Sequence, residues 1–180
     1  MARLPYVDPD TAPEVVAVRL RELLPLNIFR TVAHADDVFS PWLGFAGAVL
    51  NDIQLDPVLR QLAVLRLIAL SPGADYVWVQ HEGIAHALGM TETHLQAART
   101  GEGLEGDEAL ILSLSEEIVL NVSPSDALWE RAKARFSSRE LVELLLVIGQ
   151  YMMVCRIAVT IQLDIDEPQG MRGVENLRGA

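Results

Sequence analysis

The chain has 180 residues, 51% of them apolar and 22% charged, with a mean hydropathy of +0.25. That length predicts one domain with a full hydrophobic core, burying roughly 70% of its extended-chain surface. Acidic residues outnumber basic ones 25 to 14, a formal charge of −11, which excludes nucleic acid as a general partner and disfavours anionic membrane surfaces.

The single cysteine, Cys155, excludes an internal disulfide, a Cys2His2 zinc site and a two-cysteine redox centre. Met1–Asp10 carries Arg3 but no apolar stretch, so no signal peptide is expected there. A soluble, cytoplasmic protein is the expectation. Its apolar excess belongs to a large core or to a contact between subunits, as in a homo-oligomer.

Apolar residues recur at three- and four-residue intervals and β-branched alternation is absent, which predicts an all-α fold of about eight helices. Ala12–Leu24 follows Thr11, carries Pro13 in its first turn and stops at Pro25. Leu26–Ala33 is a short helix with Asn27 as cap. Ser40-Pro41 opens the next helix, which ends at Asn51-Asp52. Asp56-Pro57 is a cap followed by proline at the first helical position, and that helix runs to Leu70.

Ser71-Pro72-Gly73 breaks the chain, and Asp75 caps a helix over Tyr76–Leu88 with Gly89 just past its end. Thr91 caps a short helix ending near Thr100-Gly101, and Gly101–Gly106 is a loop. Asp107–Leu120 and Ser125–Arg135 are amphipathic helices. Ser137/Ser138 cap the last long helix, with Glu140 in its first turn. Its apolar stretch Leu141–Leu163 is long enough to span a bilayer, but Glu143, Gln150, Arg156 and Gln162 within it favour a buried soluble helix. Residues 1–163 therefore form one helical domain, and 164–180 a polar, loosely ordered tail.

Four histidines are candidates for chemistry: His34, His81, His86 and His94. His81-Glu82-Gly83-Ile84-Ala85-His86 superficially resembles a zinc-protease helix. Its histidines are five apart, however, which separates them by about 140° around the helix instead of the about 40° of residues four apart. No metal site is expected. Tyr76, Trp78, Gln80 and His81 share the opening turns of one helix, an interleaving of polar and aromatic groups that a plain core does not need. Arg66 and Arg156 lie on apolar helices, where a guanidinium needs either an acidic partner or a ligand carboxylate. Cys155, among apolar neighbours, is expected to be inert.

The stretch Leu59-Arg60-Gln61-Leu62-Ala63-Val64-Leu65-Arg66, followed by Asp75-Tyr76-Val77-Trp78-Val79-Gln80-His81, resembles the central helical hairpin of the carboxymuconolactone decarboxylase family, which also contains the alkylhydroperoxidase D-like proteins. Leu26–His34 resembles the family's N-terminal segment, and Phe136–Arg156 its closing helix, so the resemblance covers residues 20–163 in order. It implies an all-α, alkylhydroperoxidase D-like domain built round that hairpin, in a dimer, trimer or hexamer.

Peroxidase members carry a Cys-x-x-Cys-x-x-x-His pattern. Here the two cysteine positions are Ala74 and Val77, and the position of the family's glutamate is Gln61; His81 alone remains. Dithiol peroxidase chemistry has no nucleophile in such a chain. The resemblance then implies a cofactor-independent lyase, or related isomerase or hydrolase, acting on a small carboxylate or lactone. His81 serves as general acid/base with Gln61 beside it, and Arg66, Tyr76, Trp78, Tyr151 and Arg156 bind substrate. The alternatives are a residual thiol peroxidase using Cys155 and a non-catalytic oligomeric binding protein.

Overall fold

The computed structural model describes residues 1–178 and shows, among these, ten helices and no strand. They are α1 (Glu14–Glu22), α2 (Asn27–Val32), α3 (Asp36–Asn51), α4 (Pro57–Ala69), α5 (Asp75–Ala87), α6 (Glu92–Thr100), α7 (Gly106–Asn121), α8 (Asp126–Arg135), α9 (Ser138–Ile161) and α10 (Met171–Glu175).

The hairpin of α4 and α5 is central, as expected. α4 packs against α5, α6, α7 and α9, and Arg60 to Ile68 are buried without interruption. Its start obeys the local code. Pro57 needs no hydrogen-bond donor at the first position, and the Asp56 carboxylate accepts the N–H groups of Val58 (2.8 Å) and Leu59 (3.2 Å). α9 opens on a reciprocal cap, in which Ser137 Oγ accepts the Glu140 N–H and Glu140 accepts the Ser137 N–H.

α9 passes the length and composition test for a membrane span. Its inner face (Leu141, Leu144, Val147, Ile148, Tyr151, Val154) is nevertheless buried against the bundle, and Val142, Leu145, Leu146 and Met153 form an outer apolar stripe. The homo-oligomer expectation concerns this outer stripe.

Three local readings change. α3 begins at Asp36 and not at Ser40, and Pro41 sits inside it. Asp36 and Asp37 in the first turn complement the helix dipole and start the helix a turn early. Asp75 is the first helical residue and caps nothing; Ala74 stands at the cap position. Asn27 is likewise no cap. Its own backbone N–H is accepted by Asp166 (2.7 Å), far along the chain.

The largest change is at the C-terminus. Residues 164–178 are not a loose tail: they lie across α2, α3 and α5 and end in α10, which packs on α3 and α5. Val174 and Leu177 are buried, and polar ties run along the whole segment. Asp166 accepts from Asn27 N–H and Tyr76 O–H, Gln80 donates to the Asp166 carbonyl, Asn51 donates to the Val174 carbonyl, and Asn176 accepts the Leu24 N–H. Composition concealed this because a polar segment docks through hydrogen bonds and few apolar anchors, Val174 and Leu177 with Met171 partly buried beside them. Gly179 and Ala180, the end of the expected tail, lie outside the described residues.

Candidate functional site

His81 lies on the inner face of α5, 5% exposed. Gln61, fully buried on α4, reaches across the hairpin. Its Nε2 donates to the His81 carbonyl (2.7 Å) and lies 3.1 Å from His81 Nδ1. The carbonyl accepts only a donor, so the amide is oriented with its NH2 toward α5. Nδ1 lies 3.1 Å from Gln61 Nε2 and 3.3 Å from Gln61 Oε1; in the shorter contact Nδ1 accepts, which leaves the ring proton to Nε2. Nε2 has no hydrogen-bond partner among the described residues. The Tyr151 ring meets the imidazole edge-on, with centroids 4.5 Å apart.

Burial, and secondarily the charge of Arg60, hold the His81 pKa down to about 3. The imidazole is therefore neutral throughout the physiological range. The cause is the hairpin, which removes the ring from water and sets it beside a buried cation.

The ring forms part of the wall of a cavity of about 90 Å³. Apolar walls come from α2, α3, α5 and α9, including Phe29, Trp42, Val77 and Val154. Tyr76, Tyr151, Gln80 and Gln150 are the polar or amphipathic members, and the docked C-terminal segment closes one side through Gln169, Gly170, Gly173, Val174 and Leu177. Tyr76 is pinned there. Its hydroxyl donates to Asp166 (2.7 Å) and accepts the Ile28 N–H (3.1 Å). Burial and the adjacent carboxylate push its pKa up, so it stays protonated. No lysine or arginine is among the lining residues.

The expected site residues thus divide. The structure brings His81, Tyr76 and Tyr151 together around one cavity. Gln61 touches His81 from behind and does not line the cavity, so it positions the ring.

Arg66 is elsewhere. Its guanidinium donates to the carbonyls of Ala98 (3.2 Å) and Arg99 (2.9 Å) and pairs with Glu116 (2.5 Å). It closes the C-terminus of α6 against α7, and it approaches Gly101 so closely that a Cβ there would lie 2.8 Å from Nη2. Gly101 also has φ +85°, so glycine is required twice over. The acidic partner that an arginine on an apolar helix needs is thus Glu116.

Arg156 is exposed and donates to the Met152 carbonyl on its own helix (2.8 Å). Trp78 faces α6, with Arg99 stacked 3.6 Å above its ring and Glu82 accepting its Nε1–H. Neither Arg156 nor Trp78 lines the cavity. Periodicity identifies a residue on an apolar helix, but only the crossing of helices decides which neighbour it meets.

Arg60 and Gln150 escaped the sequence reading. Arg60, 4% exposed, donates to the Leu50 carbonyl (2.5 Å) and places its charge near His81 and Tyr151. The signal was the one that singled out Arg66, an arginine within an apolar helix. The signal for Gln150 was a glutamine inside the apolar stretch of α9.

Cys155 is buried on α9 and does not line this cavity. Burial pushes its thiol up to about 11. A thiol that stays protonated at neutral pH is a poor nucleophile. Cys155→Ser is expected to leave peroxide consumption unchanged in a coupled assay; a loss of turnover would show that the thiol is reactive.

The whole architecture is similar to solved structures of one kind. Over 96% of this chain and 96% of the other it matches an alkylhydroperoxidase AhpD core, an uncharacterized peroxidase-related protein from Ralstonia eutropha JMP134, with a TM-score of 0.79 at 17% identity. An uncharacterized peroxidase-related protein from Silicibacter sp. TM1040 matches over 92% of each chain, with a TM-score of 0.72 at 14% identity. The fold is AhpD-like. A protein of unknown function from Agrobacterium tumefaciens, thought to be an AhpD antioxidant defence protein, covers 74% of this chain with a TM-score of 0.67 at 19% identity. No family model matches the chain, and no curated protein matches it.

In this AhpD-like chain, the positions that the resemblance assigns to the cysteine pair hold Ala74, buried at the start of α5, and Val77, in the cavity wall beside His81.

Proposed function

We propose that this AhpD-like protein is a cofactor-independent enzyme that does the isomerase or hydrolase chemistry expected beside decarboxylation, and not decarboxylation itself. Its cavity takes a small neutral carbonyl compound of the lactone class, held by a hydrogen bond from neutral His81. The observation that carries this reading is a buried neutral imidazole, its Nδ1 engaged by Gln61, in the wall of a largely apolar cavity lined by no lysine or arginine. A neutral imidazole donor polarises a carbonyl without itself giving up a charge, and the apolar walls strengthen that hydrogen bond. A lactone held in this way has its carbonyl polarised toward the oxygen.

A free carboxylate would lose its hydration in the same cavity with no cation in the wall to pair with, Arg60 being held behind it by the Leu50 carbonyl, so the lactone half of the expectation is favoured over the carboxylate half. The non-catalytic reading is disfavoured because it predicts a closed site with His81 satisfied by backbone, whereas Nε2 has no partner among the described residues and the ring lines a cavity.

Calorimetric titration tests the assignment with γ-butyrolactone, cyclohexanone and cyclohexanecarboxylate. The two neutral carbonyl compounds are expected to bind and the carboxylate not. His81→Phe should weaken neutral binding about tenfold, the worth of one buried hydrogen bond. Tighter binding of the carboxylate, or indifference to His81→Phe, would overturn it.

A further inference from the structure

We propose that Gln150 is a specificity-determining residue of this cavity, selecting a guest that presents an N–H or O–H group beside its carbonyl, with the lactam class as the best match. The inference rests on the carbonyl-site reading above and narrows it.

Gln150 is 4% exposed and lines the cavity next to Tyr151 in sequence. Its Oε1 is buried with no hydrogen-bond partner, and its Nε2 makes no hydrogen bond among the described residues. The other glutamines near the site behave differently. Gln61 is satisfied by His81, and Gln80 donates to the carbonyls of Asp166 and Glu167. An amide left unpaired in an apolar wall costs stability, and a methionine of similar shape would fill the same space without that cost. A group that breaks local consistency in this way marks a place where something else completes it.

The side-chain amide offers one acceptor oxygen and two donor hydrogens. A ketone or lactone can accept from the NH2 but leaves Oε1 as it is. A lactam holds its C=O and N–H side by side, so it can pair with both edges of the amide. Its carbonyl oxygen retains a second lone pair for the His81 donor.

The test uses δ-valerolactam, N-methyl-δ-valerolactam and cyclohexanone, titrated against the wild type, Gln150→Met and His81→Phe by ligand-observed NMR. The wild type is expected to bind the lactam about tenfold more tightly than either of the others, since only the lactam satisfies Oε1. Gln150→Met should abolish that preference while keeping or raising the thermal midpoint of the ligand-free protein; a purely structural glutamine would lower the midpoint instead. If the wild type binds all three equally and His81→Phe weakens all three, Gln150 does not select and the carbonyl site stands. If none binds, or binding ignores His81, the carbonyl-site reading fails and the Gln150 inference fails with it. The N-methyl comparison on the wild type decides the matter even if Gln150→Met does not fold.

Discussion

Acidification from pH 6.5 towards pH 3 is expected to destabilise the protein by roughly 3–5 kcal/mol through His81 alone. The sign follows from where the protons go. The unfolded chain protonates this histidine below its ordinary value of 6.5, whereas burial, followed by the Arg60 charge, holds the folded ring neutral down to about 3. Across that window the unfolded state binds more protons, so stability falls as pH falls. Above pH 6.5 both states are neutral and the ring contributes no pH dependence.

Carboxylates also titrate in this range, so the measurement is a difference. Wild type and His81→Phe would be unfolded in urea at half-unit intervals from pH 7.5 to 4. The wild type should lose about 1.4 kcal/mol per pH unit relative to the variant, starting near 6.5. Parallel curves would mean that the ring takes up its proton in the folded state. The neutral-donor role proposed for His81 would then be lost as well.

Gly47→Ala is expected to detach the C-terminal segment and open the cavity. Gly47 lies on α3 beneath that segment, where an added Cβ would collide with the Leu177 carbonyl oxygen, a backbone atom that has no other rotamer to adopt. Relief requires α10 to lift, exposing Val174 and Leu177. Losing their burial costs about 2–4 kcal/mol locally, set against about 1 kcal/mol gained by alanine within α3. Global stability is therefore a blunt readout.

Hydrogen exchange over residues 171–178 should rise at least tenfold, and cyclohexanone binding should weaken, because Gly170, Gly173, Val174 and Leu177 supply one side of the cavity. Gly149→Ala is the control. That glycine is exposed on α9 with no atom near its Cβ position, so the substitution should stabilise by about 1 kcal/mol and leave exchange in α10 alone. Equal exchange in Gly47→Ala and wild type would show that the segment is not packed on α3.

Much of the helical frame was legible because its signals are local. Asp56-Pro57, Ser137 with Glu140, and the Ser71-Pro72-Gly73 break act within one turn of chain, and each stands where the sequence placed it. α10 was not legible. Its ties, Asp166 to Asn27 and Tyr76 and Asn51 to Val174, join residues about a hundred positions apart, and such pairs leave no periodic trace.

The same division runs through the site. Sequence alone determined that the hairpin carries two histidines, His81 and His86, and no cysteine pair, because residue identity needs no coordinates. It also determined that His81 sits two turns into a helix rich in aromatics. Tertiary structure decided which polar groups share its cavity. The crossing of α4 over α6 and α7 sends Arg66 to Glu116, the far side of α5 holds Trp78 against Arg99, and α9 turns Gln150 inward while leaving Arg156 outside. It also decided the charge state of His81, since burial depends on everything packed around a residue and is encoded in no short stretch of chain.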